Sequence, residues 1–172
     1  MILLTGFGPF RDVTENPSSV LAGSLDGARV GGVTVVGHVL DVSYERAPAR
    51  VLELCTLFSP MLVIGTGVAV RREEVEVEAF GRGGVPEGDD NDGRCPPNLG
   101  PGRYASPVAQ GLADALGVAR SEDAGRYVCN AWLYRVGRGA DCPVGFVHLP
   151  PSGVDPQRFL KALGRVASSL QA

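Results

Sequence analysis

The chain has 172 residues, of which 44% are hydrophobic, so it is long enough to bury one sizeable core and short for two domains. Its net charge is −3 and it contains no run of Lys and Arg, which argues against a nucleic-acid or anionic-membrane surface. We therefore expect a single domain over residues 1–172 that acts on a small molecule or a peptide.

The location of the protein is predicted from its first residues and its cysteines. The opening stretch 1–6 has no basic region before it and no long apolar span after it, so we expect neither a signal peptide nor a membrane helix, and a cytoplasmic protein. The cysteines form no CxxC pair and have no metal-ligand spacing. They are Cys55, Cys95, Cys129 and Cys142. We expect free thiols, no structural disulfide and no bound metal.

Strands and helices are predicted to alternate through the first 64 residues. The apolar run 1–5 predicts a buried strand, and the Gly- and Pro-containing loop after it carries Phe7 and Phe10. Helices are predicted over 17–25 and 43–58, and strands over 33–40 and 61–64. The run 61–64 is apolar throughout, as in a central strand that is covered on both faces. This alternation predicts an α/β sandwich.

The rest of the chain continues the pattern after a long polar interruption. Residues 73–80 alternate charged and apolar side chains, so Glu74, Glu76 and Glu78 are predicted to share one face of a strand. Residues 81–102 are rich in Gly, Pro, Asp and Asn and predict a long surface loop. Helices are expected over 104–116, from about Cys129 onward, and over 156–170, with a strand at 144–148.

Cys129 is the candidate nucleophile. It lies where an apolar run gives way to a helical pattern, and a helix N-terminus favours the thiolate over the thiol. Most cysteines taken singly are core residues, so this assignment depends on a partner. His148 follows a short apolar run at a predicted strand end, where α/β folds collect catalytic groups. His38, inside a valine-rich strand, is expected to be structural.

Three further features have two interpretations each. The glutamate row 74–78 can supply the carboxylate that orients a histidine, or it is an ordinary solvated strand face. Phe7 and Phe10 are either core residues or the walls of a flat apolar slot for a ring-shaped substrate. The arginines at 71, 72 and 82 can bind an anion, although most exposed arginines bind nothing specific.

Four segments of the chain are informative in combination. They are Leu4-Thr5-Gly6-Phe7-Gly8-Pro9-Phe10 with Asn16-Pro17, Val42-Ser43-Tyr44-Glu45-Arg46-Ala47, Tyr127-Val128-Cys129-Asn130 with Tyr134, and Gly145-Phe146-Val147-His148-Leu149-Pro150. Together they resemble the cytosolic pyroglutamyl peptidases, which are cysteine peptidases that release an N-terminal pyroglutamyl residue. The resemblance covers nearly the whole chain.

The resemblance implies a three-layer α/β/α sandwich with a mostly parallel, twisted central sheet. It further implies a triad of Cys129 as nucleophile, His148 as general base and, with Val85-Pro86 aligned to an Ile-Pro of the family, Glu74 as the acid. The same resemblance implies no cofactor and a homodimer or homotetramer. Phe7 and Phe10 match the residues that enclose the pyrrolidone ring, and Val128 is expected in the same pocket.

Two positions depart from the family pattern. Thr66 stands where the family has a glutamine in the substrate pocket, and Gly84 stands where it has an arginine that stabilises the oxyanion. Arg82 is the nearby candidate to replace that arginine. These departures leave two alternatives: a family member that binds a ring-capped ligand without hydrolysing it, and an amidase for a different small acyl or lactam cap.

Overall fold

The computed structural model describes residues 1–172 as one seven-stranded sheet, a separate two-stranded sheet and five helices. The strands are β1 (Ile2–Phe7), β2 (Arg29–Val30), β3 (Val33–Leu40), β4 (Leu62–Val68), β5 (Glu76–Glu78), β6 (Phe80–Arg82), β7 (Arg103–Ala105), β8 (Ala119–Ser121) and β9 (Val144–Leu149). The helices are α1 (Pro17–Leu25), α2 (Arg46–Phe58), α3 (Ala109–Leu116), α4 (Val128–Gly139) and α5 (Pro156–Gln171). None of the helices is long and apolar enough to cross a membrane.

The large sheet has the strand order β2-β3-β1-β4-β9-β5-β8. Strands β3, β1, β4 and β9 are parallel neighbours, so their carboxyl ends meet at one edge, which is where open α/β sheets bind ligands. Strand β5 runs antiparallel to β9. Because of this reversal, the start of β5 lies beside the end of β9, with Glu76 opposite His148.

The helices cover both faces of this sheet. Helices α1, α3 and α5 bury one apolar cluster, to which β1 contributes Ile2 and Leu4. Helices α2 and α4 bury a second cluster on the opposite face, to which β1 contributes Leu3 and Phe7. The alternation along β1 therefore divides its side chains between two cores. The predicted three-layer α/β/α sandwich with a mostly parallel sheet is confirmed.

The predicted elements agree best where apolar periodicity is strong. The predicted helix 17–25 and strand 33–40 match α1 and β3 at both ends. The strand predicted over 73–80 is shorter, because the chain bends at residues 73–74 and β5 begins only at Glu76. The helix predicted from 104 begins at Ala109, because residues 103–105 pair with β6 instead.

The predicted loop 81–102 is ordered by polar contacts with the body of the domain. The Asp90 carboxylate accepts hydrogen bonds from the backbone N–H groups of Tyr44, Asp92 and Arg94. The Tyr127 hydroxyl donates to the Asp89 carbonyl at 2.9 Å. The contacts with Tyr44 and Tyr127 hold the segment against the chain just before α2 and just before α4.

Candidate active site

Cys129 is the second residue of α4 and is partly buried. The helix begins after Tyr127, whose backbone is extended and whose side chain does not cap the helix, so the first backbone N–H groups are free for a ligand. The thiol lies against the sheet at Gly67, where an added Cβ would be 2.7 Å from Sγ. Gly67 is the register partner of His148, so the thiol and the imidazole lie over adjacent strands.

His148 is held in one orientation by a buried carboxylate. Its Nδ1 is 2.7 Å from Oε1 of Glu78, whose side chain is fully buried. The Phe146 ring meets the imidazole edge to face at 5.1 Å between centroids. With Nδ1 bonded to Glu78, the proton-accepting nitrogen of a neutral imidazole is Nε2.

Glu78 is also bonded to a cation. Nη1 of Arg72 is 2.6 Å from the same Oε1 and 2.8 Å from Oε2 of Glu76. Burial alone would raise the pKa of Glu78, but the hydrogen bond and charge of His148 and the charge of Arg72 outweigh it and lower that pKa. Glu78 is therefore a carboxylate at neutral pH.

The thiol of Cys129 is protonated at rest. Burial and the negative charge of Glu78 raise its pKa to about 12, against the opposing charge of Arg72. The expectation that the helix N-terminus favours a thiolate is therefore wrong for this state, because burial has the larger effect. No hydrogen bond joins this thiol to His148, so any reaction requires the thiol to approach the base and transfer its proton.

A cavity of about 110 Å³ opens beside the thiol. Its walls include side chains that sequence analysis placed in the substrate pocket or the catalytic pair, namely Phe7, Phe10, Val128, Cys129 and His148. An apolar cavity of about 150 Å³ accommodates benzene in another protein, so this volume suits a single five-membered ring.

Asn16 holds the end of β1 and the loop after it, which carry Phe7 and Phe10. Its Nδ2 donates to the Gly8 carbonyl, and its Oδ1 accepts from the Ser18 N–H as the cap of α1. The Ser18 hydroxyl in turn accepts from the Phe7 N–H at 2.9 Å. The motif Asn16-Pro17-Ser18 therefore starts a helix and fixes one wall of the cavity, a role that the sequence alone left open.

The structure does not place Glu74 beside His148, where the third catalytic group was predicted. Glu74 is exposed at the bend before β5, whereas Glu78 contacts His148. The alternation of charged and apolar residues correctly predicted that Glu76 and Glu78 share one face of a strand, where both contact Arg72. The bend at residues 73–74 separates Glu74 from that face. The antiparallel pairing of β5 with β9, which the sequence does not reveal, selects Glu78.

Two other residues that were predicted at the site, Thr66 and Arg82, lie outside the cavity. Thr66 is fully buried and donates to the Thr5 carbonyl at 2.8 Å, and it does not line the cavity. It is the register partner of Val147, on the sheet face opposite Cys129. Arg82 is exposed, donates through Nη2 to the Glu122 carbonyl and lines a neighbouring cavity. The cavity beside the thiol is thus formed without either side chain.

The chain is similar in sequence to known proteins. A sequence model of the family described as pyroglutamyl peptidase matches residues 1–96. The pyrrolidone-carboxylate peptidase of Halalkalibacterium halodurans is 33% identical, with 88% of this chain and 84% of that protein covered. That of Cupriavidus necator is 35% identical, with 87% and 77% covered.

Solved structures show the same fold. Pyrrolidone carboxyl peptidase from Thermococcus litoralis has a TM-score of 0.85 at 24% identity, with 99% of this chain and 92% of that chain covered. Pyroglutamyl peptidase I from Bacillus amyloliquefaciens has a TM-score of 0.84 at 25% identity, with 98% and 93% covered.

Proposed function

Because the chain belongs to the pyroglutamyl peptidase family, we propose that it is a cysteine peptidase that releases the N-terminal pyroglutamyl residue of peptides. The observation that carries this proposal is the convergence of Cys129, His148 and the ring-sized apolar cavity. A pyroglutamyl residue has a neutral lactam ring instead of an ammonium group, which suits aromatic walls.

In the first half of the reaction, Sγ of Cys129 attacks the carbonyl carbon that follows the ring. The thiol proton passes to Nε2 of His148, and Glu78 stabilises the imidazolium through Nδ1. The imidazolium then protonates the departing amine as the C–N bond breaks, which leaves a thioester on Cys129.

In the second half, water attacks the thioester while His148 accepts a proton. The C–S bond breaks, the imidazolium of His148 returns the proton to the leaving sulfur so that Cys129 is again a thiol, and pyroglutamate leaves as the free acid, which ionises in water. Free backbone N–H groups at the start of α4 can stabilise the oxyanion in both halves. This contribution is important here, because Arg82, the predicted oxyanion donor, lines another cavity and not the one beside the thiol.

The test is hydrolysis of a pyroglutamyl fluorogenic amide by reduced protein, beside Cys129→Ser and a prolyl amide. The prolyl amide has a ring of the same size with a charged nitrogen, so it controls for recognition of the neutral lactam. We expect turnover only for the pyroglutamyl amide and only with Cys129 present. Equal turnover by Cys129→Ser would refute the mechanism.

A second candidate is a member of the family that binds the ring without hydrolysing its amide. The absence of Arg82 and Thr66 from the walls of the cavity favours it. A binder shows saturable affinity for a pyroglutamyl peptide with no release of pyroglutamate, so detection of the released acid excludes it. A panel of amides that differ only in the cap distinguishes the proposed peptidase from an amidase for another small acyl or lactam cap.

The assembly and location of the protein stay predictions. A homodimer or homotetramer is what the resemblance implies, and a cytoplasmic location is what the sequence predicts. Light scattering on the purified protein measures the mass of the particle, and fractionation of the cells that produce it measures the location.

A further inference from the structure

Arg72 makes an unusual number of contacts for a loop residue. It lies between β4 and β5 with its side chain only 24% exposed. Besides the two glutamates, Nη2 donates to the Asp123 carbonyl at 2.8 Å and to the Ser121 hydroxyl at 3.3 Å. Its neighbour Arg71 is exposed and makes no hydrogen bond or ion pair. Of these two adjacent arginines, only Arg72 therefore contacts the glutamates, Ser121 and Asp123.

The contact with Glu78 has a specific geometry. Nη1 of Arg72 and Nδ1 of His148 both bond to Oε1, whereas Oε2 is buried without a partner. Without the arginine, either oxygen of the carboxylate could turn toward the imidazole. The arginine thus defines which oxygen meets Nδ1 and in which direction.

Charge gives a second reason for this contact. An ionised carboxylate with no exposed surface is costly unless a cation and hydrogen bonds compensate it. The groups that face Glu78 are His148 from β9, Cys129 from α4, Ser121 from β8, Glu76 on its own strand and Arg72. When the imidazole is neutral, Arg72 is the only cation among them.

We infer that Arg72 is a positioning residue for the proposed reaction, because it keeps Glu78 ionised and aimed at Nδ1 of His148 so that Nε2 stays the basic nitrogen. The inference rests on the proposed function for the identity of the substrate. The effect of Arg72 on Glu78 and His148 does not depend on that identity. Arg72 lines no part of the ring-sized cavity, so its effect on substrate affinity is expected to be small.

Kinetics give the first measurement. Arg72→Ala is expected to lower kcat on the pyroglutamyl amide by about 10-fold or more with KM nearly unchanged, since general acid–base catalysis contributes about 10²–10⁴-fold and depends on the oriented base. Arg72→Lys keeps the charge but loses the planar guanidinium group, so its kcat is expected to lie between those of wild type and Arg72→Ala. Arg71→Ala is the matched control and should behave as wild type.

The second measurement does not depend on the substrate. The rate at which iodoacetamide alkylates Cys129 is followed against pH, with the four cysteines resolved by mass spectrometry of peptides. Because the charge of Arg72 opposes the effects that raise the Cys129 pKa, Arg72→Ala should slow alkylation at neutral pH and move its profile to higher pH. Arg71→Ala should leave the profile in place.

The outcomes separate the two proposals. An Arg72→Ala protein that is folded by circular dichroism and matches Arg71→Ala in both kcat and alkylation profile overturns the inference. If Arg72→Ala does not fold, Arg72→Lys carries the test, and wild-type values for it overturn the inference equally. An alkylation profile that depends on Arg72, in a protein that does not hydrolyse the amide, supports the coupling and refutes the proposed substrate.

Discussion

The side chains of the site owe their charge states to their neighbours. Cys129 is at a helix N-terminus, yet its thiol is neutral because burial and Glu78 oppose ionisation. Glu78 is buried, yet it is ionised because His148 and Arg72 compensate it. In the proposed mechanism, the sulfur of Cys129 therefore transfers its proton to the imidazole of His148 during the reaction, and it is not a thiolate at rest.

At this scale, Glu78→Gln is expected to reduce kcat on the pyroglutamyl amide by about 10²–10⁴-fold, since the acid of a triad orients and stabilises the protonated base. The glutamine keeps the shape of the side chain but not its charge. Glu74→Gln, at the exposed bend, is the matched control and should retain wild-type turnover. Comparable losses in both variants would contradict the assignment of Glu78.

At the scale of elements, the ring-sized cavity depends on close packing of α1 against β1. An added Cβ at Gly6 would lie 2.0 Å from the Ser18 carbonyl oxygen, which is backbone and cannot rotate away. The absence of a side chain therefore lets the helix approach the strand, and the Ser18 hydroxyl can then bond to the Phe7 N–H. One glycine thus determines the position of a wall of the cavity.

Gly6→Ala is therefore expected to lower the free energy of unfolding by about 1–3 kcal/mol, the usual cost of overpacking. It should also raise KM for the pyroglutamyl amide, because α1 and Phe7 must separate. The control is Gly23→Ala, which lies in α1 and has nothing near the added Cβ. It should stabilise the protein by about 0.5–1 kcal/mol. Urea unfolding of both variants measures the two changes in the free energy of unfolding. A Gly6→Ala protein as stable as wild type would contradict the packing argument.

At the scale of the whole molecule, the site is assembled from distant parts of the chain over one edge of the sheet. The end of β1 and the loop after it supply the aromatic walls, α4 supplies the thiol, and β9 and β5 supply the imidazole and the carboxylate. The two cores on opposite faces hold these elements in register. Folding and the site are also linked through the buried, ionised carboxylate of Glu78.

The dependence of stability on pH reports this link. The folded pKa of Glu78 is below the ordinary value of about 4.3, so its ionised form stabilises the fold at higher pH. That contribution is present above about pH 4.3 and is lost as pH falls through the lower, folded pKa. Glu78→Gln should therefore lose less stability than wild type as the pH is lowered from about 5 to below the folded pKa.

Urea midpoints across this range measure the difference in slope, whatever the stability of Glu78→Gln at neutral pH. Glu74→Gln, which removes an exposed carboxylate from the same segment, should follow wild type. A slope for Glu78→Gln as steep as that of wild type would show that Glu78 is not ionised preferentially in the fold.

The sequence by itself determined the fold class, most of the long elements and the residues of the aromatic loop, Cys129 and His148. Apolar periodicity is a local property, because each strand or helix records in its own residues which face it buries. The bounds of α1 and β3 follow from this signal and from the Asn16-Pro17 start.

Only the tertiary structure decided which glutamate meets His148, which sheet face Thr66 occupies and how far the thiol is ionised. Each depends on groups distant in the sequence: Glu78 on the pairing of β5 with β9, Thr66 on the register of β4, and Cys129 on burial beside Gly67 and on the charge of Glu78. Contacts and desolvation of this kind arise only when the elements pack, so local pattern does not record them.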